Sequence, residues 1–229
     1  MQKRKMRSAT IDLDGTLLDT VADLAAACNA MLLALNRPAR SLSEVRGFVG
    51  RGAVNLVSSC LNGGLPASEV DPVLLARALA SFRAHYLSCN GRSSEIYPGV
   101  IEGLNALREA KIALACVTNK PSAFSQTLLE RMGLAVYFSV VVSGDTLPQQ
   151  KPHPAPILHA CQLLGTSPAQ NVHIGDSLTD IAAARGAGCL AVAVNYGYSG
   201  SSRLNSADCD VLISSLAEVR LLPQFVGAV

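Results

Sequence analysis

Nothing in this sequence is long and apolar enough to span a membrane: no apolar run reaches the roughly 20 residues that a crossing helix needs. The basic tip carrying Lys3, Arg4, Lys5 and Arg7 is followed by no apolar stretch of signal-peptide length before Asp12. A cytoplasmic location is therefore expected, with the tip as a frayed, solvated end. Charge of either sign is in no excess. The 19 Lys and Arg against 17 Asp and Glu leave a formal +2, which gives no case for nucleic acid or an acidic membrane as partner. Paired cysteines are missing as well: the seven present, an odd number, show none of the short spacings of zinc or redox motifs. They read as buried free thiols in a reducing compartment, and Cys116 and Cys161 lie inside apolar patterns, where cysteine behaves as a small hydrophobe. The four histidines form no HExxH and no serine occupies a G-x-S-x-G turn, so metalloprotease and serine-hydrolase chemistry have no support. What is abundant is apolar: 49% hydrophobic against 16% charged residues excludes disorder and suits a sheet buried on both faces. A chain of 229 residues is one large domain or two modest ones.

The most informative stretch is Thr10-Ile11-Asp12-Leu13-Asp14-Gly15-Thr16, where an apolar run ends in two carboxylates and a glycine. The strand period of two puts both acids on one side. Asp-Gly between apolar runs also suits a tight hairpin, but a hairpin needs a second alternating strand. Instead Leu24, Ala27, Cys28, Met31, Leu32 and Leu35 recur at helical spacing behind Thr20 and Asp23, which are placed as a capping-box pair. The expected order is strand, loop, helix. Two acids crowded at a strand end repel unless a cation or a shared proton relieves them.

Residues 20–95 read as an all-helical insert, broken at Asn36-Arg37-Pro38, Gly50-Arg51-Gly52 and Asn62-Gly63-Gly64, with no convincing strand. From Pro98 onward helices alternate with short β-branched runs: strands over 112–117, 140–142, 172–174 and 190–194, an edge strand over 211–213, and then a C-terminal helix. That alternation predicts an α/β fold with a doubly wound parallel sheet, interrupted after its first strand by the insert. Ligands of such sheets gather beyond the carboxyl ends of the strands, where strand order reverses. Each strong strand here ends in polar groups: Asp12 and Asp14, then Thr118-Asn119-Lys120, Ser143-Gly144-Asp145 and Gly175-Asp176-Ser177. Asp145 is read as a loop residue.

Asp12, Asp14, Asp176 and Asp180 are four negative charges that would meet at one edge, and a site holding them needs a cation. Oxygen ligands without histidine or thiolate suit a hard ion, and a few carboxylates plus a substrate phosphate is how Mg2+ is usually held; Ca2+ would want a denser cage. Lys151, in Lys151-Pro152-His153-Pro154, is the other candidate positive group, kept extended by the proline after it. A surface lysine ahead of a helix is the plainer alternative.

Taken together, Asp12-Leu13-Asp14-Gly15-Thr16, Thr118-Asn119, Lys151-Pro152 and Gly175-Asp176-Ser177-Leu178-Thr179-Asp180 resemble, in order and spacing, the four motifs of the haloacid dehalogenase superfamily of phosphotransferases. Ile11 departs from the phenylalanine of many members. The resemblance implies a Rossmann-like phosphatase core over residues 1–19 and 96–229, with 20–95 as a helical cap. It also implies Mg2+-dependent hydrolysis of a small phosphate ester through an aspartyl-phosphate. Asp12 would be the nucleophile and Asp14 the acid and then the base. Thr118 and Asn119 would donate to the phosphoryl oxygens while Lys151 neutralises their charge, and Asp12, the Asp14 carbonyl and Asp176 would hold the metal. Asp180 would orient metal-bound water or position Lys151, although Ser177 and Asp180 also fit a helix capping box.

A phospho-acceptor signalling receiver uses similar groups, but Asp14 beside the nucleophile favours turnover and the insert has no place in it. Gly50-Arg51-Gly52 lacks the third glycine and the preceding strand of a dinucleotide fingerprint. Phosphonate cleavage wants a cap lysine for a Schiff base, and there is none between Lys5 and Lys111. Gly50-Arg51-Gly52, Lys151-Pro152-His153-Pro154 and Tyr196-Gly197-Tyr198 are similar to the phosphoglycolate phosphatase branch, which implies 2-phosphoglycolate as substrate. The carboxylate of so small a substrate needs backbone donors or a cation on a loop that approaches closely, and Arg51, between two glycines, is the candidate; a helix-connecting turn with a solvated arginine is the plainer alternative. Sugar-phosphate phosphatases and mutases share most of these segments and stay open as alternatives.

Overall fold

The computed structural model describes residues 5–65, 69–198 and 204–222; Lys3 and Arg4 of the basic tip lie outside them. A six-stranded sheet forms the centre, ordered β5-β4-β1-β6-β7-β8 with every neighbouring pair parallel. Its strands are β1 (Ser8–Ile11), β4 (Ala113–Val117), β5 (Val140–Val142), β6 (Asn171–Gly175), β7 (Leu190–Val194) and β8 (Val211–Ile213). From β1 the chain builds outward through β4 and β5, then returns to the other side of β1 for β6, β7 and β8. Strand order therefore reverses at β1, the strand that runs into Asp12. Ile11 is level with Cys116 on one side and Ile174 on the other, so Asp12, Thr118 and Asp176 emerge at neighbouring strand ends.

Alternation along the strands sorts the two faces. Ala9, Ile11, Leu114, Cys116, Val172, Ile174, Val192 and Val194 join one apolar cluster, while Ala115, Val117, Val142, Ala191 and Ala193 join another under the helices α7 (Ala155–Leu163) and α8 (Leu178–Ala187). On that second face β1 and β6 bury polar groups. Ser8 Oγ donates to Asn171 Oδ1 at 2.9 Å, Asn171 Nδ2 to Thr10 Oγ1 at 3.0 Å, and Thr10 Oγ1 meets His173 Nδ1 at 3.0 Å. Each buried polar group thus finds a partner, as burial requires.

Between β1 and β4 lie the helices α1 (Val21–Ala34), α2 (Leu42–Phe48), α3 (Gly52–Asn62) and α4 (Pro72–Cys89), followed by α5 (Val100–Glu109). The first four surround an apolar cluster of their own, including Cys28, Met31, Leu56, Cys60, Phe82 and Tyr86. It is joined to the sheet edge through Phe124 at the start of α6 (Ser122–Arg131). Two short strands absent from the sequence reading, β2 (Leu18–Asp19) and β3 (Glu95–Ile96), pair antiparallel where the chain enters and leaves this helical unit. Two residues are too few to show a period, which is why they were invisible.

Thr20 and Asp23 do not cap α1 as the spacing suggested. Thr20 makes no side-chain cap; its Oγ1 donates to Asp14 instead. Asp23 accepts from Gly91 N, Ser93 N and Ser94 Oγ at 2.7–2.9 Å and so clamps the return segment. Tertiary partners outcompeted the local cap. The expected C-terminal helix is, within the described residues, a 3-10 segment over Leu216–Leu221.

Candidate active site

The loop after β1 is rigid because Leu13, Leu17 and Leu18 are fully buried in the sheet core, and the Leu17 and Leu18 amides both donate to Leu13 O at 3.0 Å. Gly15 turns it at φ +88°. A Cβ there would collide with the Asp176 carboxylate and the Tyr198 ring, so glycine alone lets the two acidic loops approach. Asp12 continues the ladder by donating its amide to Ile174 O at 2.9 Å, and Thr118 does the same to Val142 O at 2.9 Å.

Lys151 is not a surface lysine. Its ammonium is buried between Asp12 Oδ1 at 2.8 Å, Asp180 Oδ1 at 2.7 Å and Val117 O at 2.7 Å, one acceptor for each of its three protons. Its backbone is held by the Asn119 side chain, which accepts from Lys151 N at 3.0 Å and donates to Lys151 O at 2.8 Å and Gly50 O at 3.1 Å. Asn119 thereby joins the β4 tip, Lys151 and the turn ahead of α3.

Asp180 serves two roles at once. With Ser177 it forms a reciprocal capping box at the start of α8, and its other oxygen takes Lys151 and lies 3.2 Å from His173 Nε2. Burial works to raise the Asp180 carboxyl, but the Lys151 ammonium and His173 override it and hold it well below the usual range. Burial keeps His173 neutral by lowering its proton affinity, so it donates Nε2–H to Asp180 and accepts from Thr10 on Nδ1. Sequence reasoning passed over His173, although its register beside Thr10 on a strand ending in Asp176 marked it.

Asp12, Asp176 and Asp180 each offer a carboxylate oxygen within 4.8 Å of the others, all buried. Burial, partly offset by Lys151, pushes the Asp12 carboxyl up to about 7. Asp176 is held well above the ordinary range by burial and then by the charges of Asp180 and Asp12, even though its Oδ2 accepts Tyr198 N at 2.6 Å. One lysine does not neutralise three buried acids. Such an all-oxygen set fits a hard divalent ion.

The Asp14 carboxylate turns away from this cluster. Lys120 Nζ donates to its Oδ1 at 2.9 Å and Oδ2 at 3.2 Å, and Thr20 Oγ1 donates to Oδ1 at 2.6 Å. Lys120 was missed because it follows Thr118 and Asn119 as one more polar residue. Tyr198, noted only as part of a segment, accepts from Thr20 N and Val21 N and donates to Asp19, tying the start of α1 to Asp176. Asp145 is indeed a turn residue, bonded to Ser122 N and Oγ at the start of α6.

A cavity of about 40 Å³ lies between the strand ends and the helices, with Asp12, Asp14, Thr118 and Lys120 on one wall and Leu56 and Tyr86 on the other. Gly50 and Gly52 reach it, but Arg51 does not. Its side chain is exposed at the N-terminus of α3, outside the lining, because the turn brings backbone rather than the long cation to the cavity. Asp12, Asp14, Thr118, Asn119, Lys151, Asp176 and Asp180 are thus brought together; Arg51 is not.

Comparison with known proteins agrees with this geometry. The family model for haloacid dehalogenase-like hydrolases matches residues 10–194. The chain is 44% identical over 217 residues to the phosphoglycolate phosphatase of Thiobacillus denitrificans, covering 95% of each chain. It is 46% identical over 206 residues to a plasmid-borne phosphoglycolate phosphatase of Cupriavidus necator, covering 90% of this chain and 88% of that one. The crystal structure of a predicted phosphoglycolate phosphatase from Haemophilus somnus superposes with a TM-score of 0.87 at 32% identity, covering 96% of this chain and 97% of the other.

Proposed function

Because the chain belongs to the haloacid dehalogenase-like hydrolases and is a phosphoric monoester hydrolase, we propose that it hydrolyses 2-phosphoglycolate to glycolate and phosphate through an aspartyl-phosphate on Asp12. The observation that carries the substrate is the 44–46% identity to phosphoglycolate phosphatases over 90–95% of this chain, joined to a cavity between Asp14 and α4 whose lining, among the described residues, holds one cation, Lys120.

Asp12, fixed on the rigid loop, is aimed from the end of β1 to attack phosphorus in line, forming a new O–P bond as the ester O–P bond breaks. Thr118 and the Asn119 amide donate to the transferring oxygens, and Lys151 opposes their charge from beneath. Asp14 gives its proton to the leaving glycolate oxygen and then takes one from the water that opens the aspartyl-phosphate. Asp180 and His173 hold Lys151 in place. The buried carboxylates of Asp12 and Asp176 fit Mg2+; with the Asp14 backbone carbonyl they would hold it, and it would offset the repulsion between Asp12 and the phosphate. We assign the four helices over 20–95 as the cap that shields this reaction from bulk water, consistent with their separate core and their wall on the cavity.

Two outcomes test this reading. In a panel of small phosphate esters with Mg2+, 2-phosphoglycolate should have the highest kcat/KM by at least about tenfold, the discrimination expected of one charge-assisted contact. A preference for hexose phosphates would refute the substrate assignment. The second concerns the metal and pH. Asp12 and Asp176 bind protons more tightly folded than unfolded, so their contribution is fully present below about pH 4, the ordinary carboxyl range, and drains as pH rises, for Asp12 through about 7. Mg2+ replaces those protons, so the gain in Tm over chelated protein should grow from pH 5.5 to pH 8, reaching a few degrees. Thermal unfolding at both pH values checks it; an equal gain at both would contradict the proposed ligand set.

A further inference from the structure

A substrate carboxylate needs a cation and a donor with unused capacity. Lys151 has none, its three protons being taken by Asp12, Asp180 and Val117. Arg51 is exposed outside the lining. Among the described residues, the one cation that lines the cavity is Lys120. Its buried ammonium leans on Asp14 and lies 4.8 Å from the centre of the Tyr86 ring.

Tyr86, on α4, lines the other wall. It is 1% exposed, and its hydroxyl is buried without any hydrogen-bond partner, a state that costs free energy unless something bonds to it. Burial, with Asp14 nearby, holds the phenol far above its usual proton affinity, so it stays a donor. The ring is fixed by a stack on Phe82 at 5.4 Å and an edge contact with Phe124 at 4.9 Å between centroids, so the orphaned hydroxyl does not swing free.

We propose that Lys120 and Tyr86 form the receiving site for the substrate's carboxylate, with Lys120 giving up one Asp14 contact to bind it and the Tyr86 hydroxyl donating to its second oxygen. This rests on the reading of 2-phosphoglycolate as substrate. With phosphorus at Asp12 and the leaving oxygen at Asp14, the carboxylate lies one carbon beyond that oxygen, on the side where Lys120 stands 2.9 Å from Asp14. Substrate selection is thereby divided between a β4-tip lysine and a residue of the helical unit, so a carboxylate binds both across the cavity.

The experiment compares 2-phosphoglycolate with 2-hydroxyethyl phosphate, an ester of the same chain length without the charge, on wild type, Tyr86→Phe, Lys120→Met and Lys120→Arg. The readout is the ratio of the two kcat/KM values, which a purely structural defect lowers on both sides alike. Tyr86→Phe keeps the ring and should reduce the ratio about tenfold; Lys120→Met should reduce it about a hundredfold, the range for lost hydrogen bonds to a charged group. Lys120→Arg should restore part of it. A wild-type ratio near one would defeat the substrate reading itself. A large wild-type ratio unchanged in Tyr86→Phe and Lys120→Met would overturn this proposal alone, and equal losses on both esters would assign the two residues to packing.

Discussion

Asp12→Asn should lower kcat by at least about 10⁴-fold, since removal of a covalent nucleophile takes away the pathway rather than one contact. The amide is nearly the same size, and the groups around it would remain: Lys151 still has Asp180 and Val117 O, and the Asp12 backbone still bonds Ile174. Folding should survive. Loss of one negative charge should even ease the crowding among Asp12, Asp176 and Asp180, so the chelated variant should match or exceed wild type in Tm at pH 8. The measurement pairs steady-state kinetics with intact-mass analysis of rapidly quenched enzyme and substrate. Wild type should carry a transient phosphoryl adduct on Asp12, and the variant none. An adduct on any other residue, or residual turnover within tenfold of wild type, would remove Asp12 from its role.

Lys151→Met should act on stability as strongly as on rate. The methionine chain fills similar space but leaves Asp12 and Asp180 buried without their shared cation, and breaking a buried pair in this way costs about 3–5 kcal/mol. The deficit should also depend on pH. In wild type the Asp180 carboxyl is held low, so its contribution is present above the ordinary carboxyl range and is lost as pH falls. Without Lys151, only the His173 and Ser177 hydrogen bonds oppose burial, so the Asp180 carboxyl moves up. The variant's deficit should then be smallest in acid and grow as pH rises. Urea unfolding of both proteins under chelation at pH 5.5 and 8 reads this directly; a deficit that grows towards acid would mean that Lys151 does not compensate these carboxylates.

The parallel sheet and its reactive edge were legible because they rest on local signals: β-branched runs, helical spacing, and polar residues that end each strand at neighbouring registers. Asp12, Thr118 and Asp176 could be placed that way, and Lys151 through the proline that keeps it extended. Lys120 and Tyr86 could not. Lys120 matters through Asp14, 106 positions away, and Tyr86 sits on a helix whose apolar spacing accounts for it fully as a core residue. Thr20 and Asp23 show the opposite error: they are spaced as a local helix cap, but their side chains go to tertiary partners. Arg51 drew attention as a cation between glycines, yet glycines that let backbone approach closely leave the intervening side chain free to face solvent.

The pairing of β2 with β3 has a consequence for the entropy of folding. Leu18 lies opposite Ile96, so the chain leaves the sheet domain and returns to it side by side. A flexible excursion would charge the sheet for closing a long loop, at about 0.6 kcal/mol for each doubling of its length. Once α1 to α4 have gathered around their own apolar cluster and Asp23 has clamped the return segment, the effective excursion is only as long as the gap between two adjacent strands. The closure left between β1 and β4 is then mainly that of the segment through α5, and residues can be added or removed far from β2 and β3 with little effect on it.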